Sequence, residues 1–99
     1  MPLAIAIHPD DNVATLIDPV NAGDVAEVLL GSSRSPIRAS APIRSGHKIA
    51  LRDIPQGGPV IKFGQRIGVA TSDIRAGDHV HIHNVAGFAQ TSPLTRRTP

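Results

Sequence analysis

Apolar residues along this chain fall in short runs broken by Gly, Pro and Asp, and within the runs apolar and polar positions alternate with a period of two. That rhythm belongs to strands, whose successive side chains point to opposite faces, and not to long amphipathic helices. The pattern predicts six short strands, at Leu3–His8, Asn12–Ile17, His47–Leu51, Pro59–Phe63, Arg66–Ala70 and His79–Asn84, each beside a turn-forming residue. Val25–Leu30 fits either a strand or one face of a helical turn. Six short strands joined by tight turns imply an all-β domain of barrel-like or clip-like shape.

An internal echo sharpens this picture. Asp53-Ile54-Pro55-Gln56-Gly57 and Asp73-Ile74-Arg75-Ala76-Gly77 share an Asp-Ile-x-x-Gly frame, and a looser version runs from Ile17 to Val25 with one more residue before Gly23. In each copy the Asp is expected to cap its own turn, the Ile to enter the core, and the Gly to take a positive φ. Between Ser32 and Ser45 only Ile37 and Ile43 can act as anchors, so residues 32–45 read as an exposed loop. Its Arg34, Arg38 and Arg44 are either a solvated edge or contacts for an acidic ligand or partner. Residues 90–99 lack an apolar run and read as a flexible tail or linker stub, which leaves 1–89 as the folded domain.

Composition narrows the function classes. With 99 residues the chain has room for one core, and 40% hydrophobic with 18% charged residues suits neither a membrane span nor general disorder. Two Phe, no Tyr and no Trp make the core aliphatic and leave too few rings to stack nucleic-acid bases. A net charge of +2 is no nucleic-acid footprint either. The absence of Cys removes disulfides and thiol chemistry. The apolar start from Leu3 to Ile7 has no basic region before it and no cleavage-like site after it, so the sequence reads as cytoplasmic.

Five His remain as the outstanding chemical resource. In Asp78-His79-Val80-His81-Ile82-His83-Asn84, an extended strand would aim Val80 and Ile82 into the core and align His79, His81 and His83 on the other face. At about 3.3 Å per residue the backbones of His79 and His83 would lie roughly 13 Å apart, too far for all three to share one ion. A neighbouring pair could bind a metal if a carboxylate, another His or a partner completed the shell. The same row equally suits a water-facing stripe. His47, after Gly46, shares a face with Ile49 and Leu51 and is expected to be partly buried, on residue type alone as a hydrogen-bonded histidine at the core edge, with Lys48 and Arg52 opposite. His8, ahead of Asp10 and Asp11, looks like turn composition. No nucleophile elbow, phosphate loop, dinucleotide fingerprint or zinc-protease helix is present, and Glu27 is the only glutamate.

Three segments together resemble the amino-terminal domain of the altronate and galactarate dehydratase family: Ile7-His8-Pro9-Asp10-Asp11-Asn12-Val13-Ala14, Gly46-His47-Lys48-Ile49-Ala50, and Asp73-Ile74-x-Ala76-Gly77-x-His79-Val80-His81-Ile82-His83-Asn84-Val85. The resemblance covers about residues 4–86 and implies an antifreeze-protein-like β-clip, or SAF, fold. It further implies a part in a hydro-lyase that removes water from sugar acids, or in the related sulfolactate sulfo-lyase. Family members occur as one long chain or as small and large subunits, and this chain looks like a small subunit or an excised first domain, inactive alone. By the same resemblance His47 and His81 are the catalytic candidates, and Lys48, His83 and Asn84 the substrate-binding ones. A divalent metal, most often iron, goes with the family, its ligands in this chain or in the large partner. The expected partners are that large catalytic subunit and a sugar acid, with neither nucleic acid nor membrane, and copies could also pair through exposed strand edges. The rival readings are a non-enzymatic β-clip module that binds a carbohydrate or acidic ligand, and a purely structural assembly domain.

Overall fold

A computed structural model describes residues 1–87, so the expected tail at 90–99, and the last two residues of the expected 1–89 domain, lie outside the described residues. The alternating segments form strands β1 (Leu3–Ala6), β2 (Val13–Leu16), β3 (Val25–Leu30), β4 (Ser33–Arg38), β5 (Lys48–Ala50), β6 (Pro59–Lys62), β7 (Gln65–Ala70), β8 (His79–Val80) and β9 (Val85–Ala86). They build one six-stranded sheet, in the order β4-β3-β1-β2-β5-β8, and one three-stranded sheet, β6-β7-β9. Among the described residues only β1 and β3 pair in parallel. The fold is all-β, as the period-two pattern requires, and no helix of the described residues is long and apolar enough to cross a membrane.

Two aliphatic clusters fill it. Ala4, Ala6, Ala14, Leu16, Ala26, Val28, Ile43 and Ile49 pack beneath the larger sheet, while Val13, Ala50, Ile54, Val60, Ala70, Ile74 and Val80 pack between the two sheets. The many alanines let backbones approach closely, and among the described residues no aromatic ring enters either cluster. Phe63 is instead 56% exposed, in a hairpin turn where it and Gly64 both have positive φ and where the Lys62 ammonium lies over its ring.

The turn module seen twice in the sequence occurs four times. Val20, Ile43, Ile54 and Ile74 are each buried, and three residues after each stands a glycine, Gly23, Gly46, Gly57 or Gly77, with φ between 84° and 93°. The modules meet in pairs: Val20 and Ile43 exchange both backbone hydrogen bonds at 2.9 and 3.0 Å, and Ile54 and Ile74 do so at 2.7 and 2.8 Å. Each glycine N–H then donates to a backbone carbonyl, that of Ala39 just past β4 and those of strand residues Leu16, Ala70 and Ala50 respectively. The aspartates do not cap their own turns as expected. Asp53 accepts from Ala76 N–H and Asp73 from Gln56 N–H, both at 2.9 Å, so each closes its partner's turn and the pair is cross-tied.

Residues 32–45 are not one exposed loop. Ser33–Arg38 pairs with β3 over six positions after a turn at Gly31, which also settles Val25–Leu30 as a strand. β4 is an outer strand and all but Ile37 is exposed, so it has no buried face to impose alternation, and Pro36 is tolerated there because an edge residue need not donate. Beyond it Ala39 and Ile43 are buried, and residues 42–46 form the module that pairs with Val20.

Asp11 and Asn12 tie the first hairpin to the second sheet. The Asp11 carboxylate, 3% exposed, accepts from the N–H groups of Ile7, His8 and Gly64 at 3.1, 3.1 and 2.8 Å. Burial pushes its pKa up, but the backbone donors, with Phe63 N–H among them, outweigh that and hold it below the usual value. The Asn12 amide donates to Pro59 O at 2.9 Å and accepts from Ile61 N–H at 2.8 Å, as a strand neighbour would.

Two module glycines separate strain from crowding. Gly23 and Gly77 have φ of 89° and 93°, yet a Cβ on Gly23 would meet nothing within 4 Å whereas one on Gly77 would run into the Arg38 carbonyl. Gly23→Ala should cost about 1–2 kcal/mol of backbone strain, and Gly77→Ala clearly more, read as a larger fall in melting temperature by calorimetry. Equal losses would mean that β4 and the last module do not approach as described.

Candidate functional site

The position after each module glycine has a structural job in two of the four copies. Asp24 and Asp78 stand there, and their carboxylates accept the N–H of Asn21 and Arg75 at 2.8 and 2.9 Å. In the copy ending at Gly46 the residue is His47, whose ring leaves the turn and reaches across to β8. Its Nδ1 lies 2.9 Å from Nε2 of His79. The antiparallel β5–β8 register pairs Ile49 with His79 and Lys48 with Val80, so one further step sets His47 opposite His81. Those two rings are stacked, with centroids 3.9 Å apart and planes 13° from parallel.

Only His79 and Val80 of the expected strand His79–Asn84 are extended; residues 81–84 turn back. Asn84 causes the reversal. Its side-chain oxygen accepts from His81 N–H at 2.9 Å and its Nδ2 donates to His79 O at 2.8 Å, while its own N–H donates to His81 O at 3.1 Å. Val80 is buried as expected, but Ile82 is 84% exposed at the tip of the turn and not in the core. The turn also carries His83 back to His79, with ring centroids 4.9 Å apart instead of a strand's length away.

The structure therefore gathers His47, His79, His81 and His83 into one cluster, with His79 central to it. His79 has no catalytic or substrate-binding role by the resemblance, and the residue pattern offers it only as half of a metal-binding pair with His81. Lys48 shares a cavity of ≈ 160 Å³ with His81, Val60, Ile67, Val80, Ile82 and Val85. The Asn84 amide is 7% exposed and already occupied by the turn, so its work in this structure is to hold the histidines. His8 stays apart: its Nδ1 accepts from Asp10 N–H at 3.0 Å on the exposed first hairpin. Arg52 donates to the carbonyls of Asp10 and Asp11.

Electrostatics favour the uncharged form of His79 and His81. Desolvation lowers the His79 pKa, helped by His83, His47 and His81, and desolvation with His47, Lys48 and His83 lowers that of His81. Burial, then Lys62, lowers the Lys48 pKa. Neutral rings keep nitrogen lone pairs available as bases or ligands. His47, His79 and His81 each offer one nitrogen, all within 4.8 Å of one another, which suits three ligands of a first-row divalent ion with further positions left open.

The chain matches the family model described as the altronate/galactarate dehydratase SAF domain over residues 2–87. It is 44% identical over 80 residues to an altronate dehydratase of Escherichia coli (strain K12), covering 81% of this chain and 15% of that protein. An altronate dehydratase of Bacillus subtilis (strain 168) is 36% identical over 95 residues, 96% of this chain and 18% of the relative. The (2R)-sulfolactate sulfo-lyase subunit alpha of Chromohalobacter salexigens is 32% identical over 93 residues, which covers 86% of this chain and 95% of that subunit. The chain thus spans less than a fifth of the length of these altronate dehydratases, but nearly the whole of the sulfo-lyase subunit.

Because the folded state lowers the pKa of His79 and His81, it takes up their protons later than the unfolded chain, whose histidines titrate near 6.5. Stability of the metal-free chain should therefore be unaffected by these groups above that value, and should fall as pH drops through and below it. Denaturant melts between pH 8 and pH 5, with His79→Gln flattening the dependence, check this; a wild-type curve flat across the window would contradict it. In the same assay Asn84→Ala should cost about 1–3 kcal/mol, since it leaves the His79 carbonyl and His81 N–H unpaired.

Proposed function

We propose that this chain, which belongs to the altronate/galactarate dehydratase SAF-domain family, supplies the histidine face of a lyase acting on polyhydroxy acids, in a site completed by a larger polypeptide. The observation that carries this is the contact of His47 with His79 at 2.9 Å, with His81 stacked on His47. A row of ordinary surface histidines would not converge from two strands and a side-chain-closed turn. The share of each relative that the chain covers supports a role either as a small subunit or as the first domain of a longer protein.

Dehydration of a hydroxy acid removes the proton on the carbon beside the carboxylate. The electron pair released forms the carbon–carbon double bond as the neighbouring C–O bond breaks, and the departing hydroxide takes a proton to leave as water. An imidazole whose pKa is held down is a competent base at neutral pH, and His81 is of this kind, with His47 stacked on it and hydrogen-bonded to His79 as a route for the proton. Lys48 and His83, at the margins of the cluster, are suited to contact the substrate anion, and Asn84 fixes the turn that presents His81 and His83. If the nitrogens of His47, His79 and His81 instead held a divalent ion, which they fit and which would be iron in keeping with the family, that ion would polarise the departing hydroxyl and the base would come from the larger polypeptide.

Assembly of the chain with the large part of an altronate dehydratase-type enzyme should give turnover that His47→Ala or His81→Ala lowers by about 10²–10⁴-fold. Independently, Co(II) added to the chain should give the visible bands of a nitrogen-ligated ion, lost in His79→Ala. Undiminished turnover in both histidine variants would overturn the catalytic assignment. Tight binding of a sugar acid with no turnover in any assembly would favour the binding-module reading.

A further inference from the structure

Three depressions border the imidazole cluster, and the one on the His47–His79 side holds Arg44, a cation that no hydrogen bond or ion pair of the described residues uses. Its volume is ≈ 340 Å³, within the range of small-ligand sites. Val20 and Ile43 form its floor, and their backbone groups are spent on each other. Pro19 and Pro42 flank them and have no N–H to give. The polar lining is Asn21, Arg44, His47 and His79, with no acidic side chain among them.

Of the three arginines in residues 32–45, two are occupied within the β3–β4 hairpin. Arg34 pairs with Glu27 at 2.9 Å, and Arg38 donates to Gly23 O at 2.8 Å. Arg44 has neither kind of partner. It is, however, held in place at its backbone: its carbonyl accepts from His47 N–H at 3.1 Å, so the two residues are opposite ends of one turn and line one cleft. A guanidinium beside imidazoles in an acid-free, mostly apolar cleft lacks a counter-anion, and its planar fork matches a carboxylate through two parallel hydrogen bonds.

We infer that Arg44 binds the carboxylate of a polyhydroxy acid, with the hydroxylated chain lying over the Val20–Ile43 floor toward His47 and His79. This deepens the lyase reading and rests on it for the identity of the acid, though not for the binding itself. Arg44 acts on a side of the cluster that Lys48 does not line, since the Lys48 cavity is shared with His81. The segment that looked like loop in the sequence thus contributes a specificity residue.

Galactarate is the probe, and galactitol, the uncharged polyol of the same carbon number, is the control. Titrated into the ¹⁵N-labelled 99-residue chain, galactarate should shift the Arg44 side-chain N–H and the Gly46 and His47 amides saturably, and galactitol should not. Arg44→Gln should weaken the galactarate response about tenfold or more, and Arg44→Lys should restore part of it. In the assembled enzyme Arg44→Gln should raise KM with kcat little changed. Absence of a saturable shift at Arg44, or equal affinity in Arg44→Gln, overturns the inference. If turnover depends on His47 and His81 but is indifferent to Arg44, the inference fails and the lyase reading stands. If galactarate binding depends on Arg44 but no assembly turns over, the reverse holds.

Discussion

Where three of the four clustered imidazoles stand depends on a single buried carboxamide, because the Asn84 side chain takes up the His79 carbonyl and the His81 N–H that a continuing strand would have given to a neighbour. With those groups satisfied locally, β8 can stop after two residues at no cost in unpaired backbone. The chain then reverses, His83 returns to His79, and Ile82 is left in the open. An apolar side chain at a tip is a weak penalty beside two half-buried, unmatched backbone groups, which together cost about 1–3 kcal/mol. The hydrogen-bond constraint wins over the hydrophobic alternation, and the cluster is its result.

The other half of the site comes from a repeated module with one member altered. Four turns of the Val/Ile-x-x-Gly kind pair two by two through their buried aliphatic residues, and the cross-tied aspartates Asp53 and Asp73 stiffen the second pair. In two modules an aspartate after the glycine closes the turn, so its side chain is committed to structure. At His47 that commitment is released, and the side chain is free to meet His79 and His81 across β5 and β8. The fourth module has Gly58 at that position and so no side chain to offer; the fold supplies the rigid platform, and the departure at His47 supplies the chemistry. Desolvation and mutual repulsion then keep His79 and His81 in their uncharged form more than water would.

Much of this was legible in the sequence. Alternation and the flanking turn residues located β1, β2, β5, β6 and β7 to within a residue or two, and the Asp-Ile-x-x-Gly echo marked one pair of turns. The resemblance to the dehydratase family pointed to His47, Lys48 and His81, which the fold does bring side by side. β4 was hidden because an outer strand exposed on both faces has no period to read, and with it the module at Ile43 went unseen among Ser, Arg and Pro. The reversal at 81–84 was hidden for another reason: Val80 and Ile82 continue the strand rhythm, and a turn closed by a distant side-chain amide leaves no mark on periodicity. Asp11 likewise reads as turn composition and Asn12 as the start of a strand, although their side chains join the first hairpin to the second sheet.

The claim most exposed to test is that His47 and His79 share a proton between Nδ1 and Nε2 while His81 lies on His47. Long-range ¹H–¹⁵N spectra of the imidazoles in the metal-free chain, with ring-to-ring nuclear Overhauser effects, measure this directly. The account predicts His47 Nδ1 and His79 Nε2 in complementary donor and acceptor states, ring contacts between His47 and His81, and the loss of both in Asn84→Ala. Four imidazoles that titrate independently near 6.5, with no contacts between rings, would contradict it.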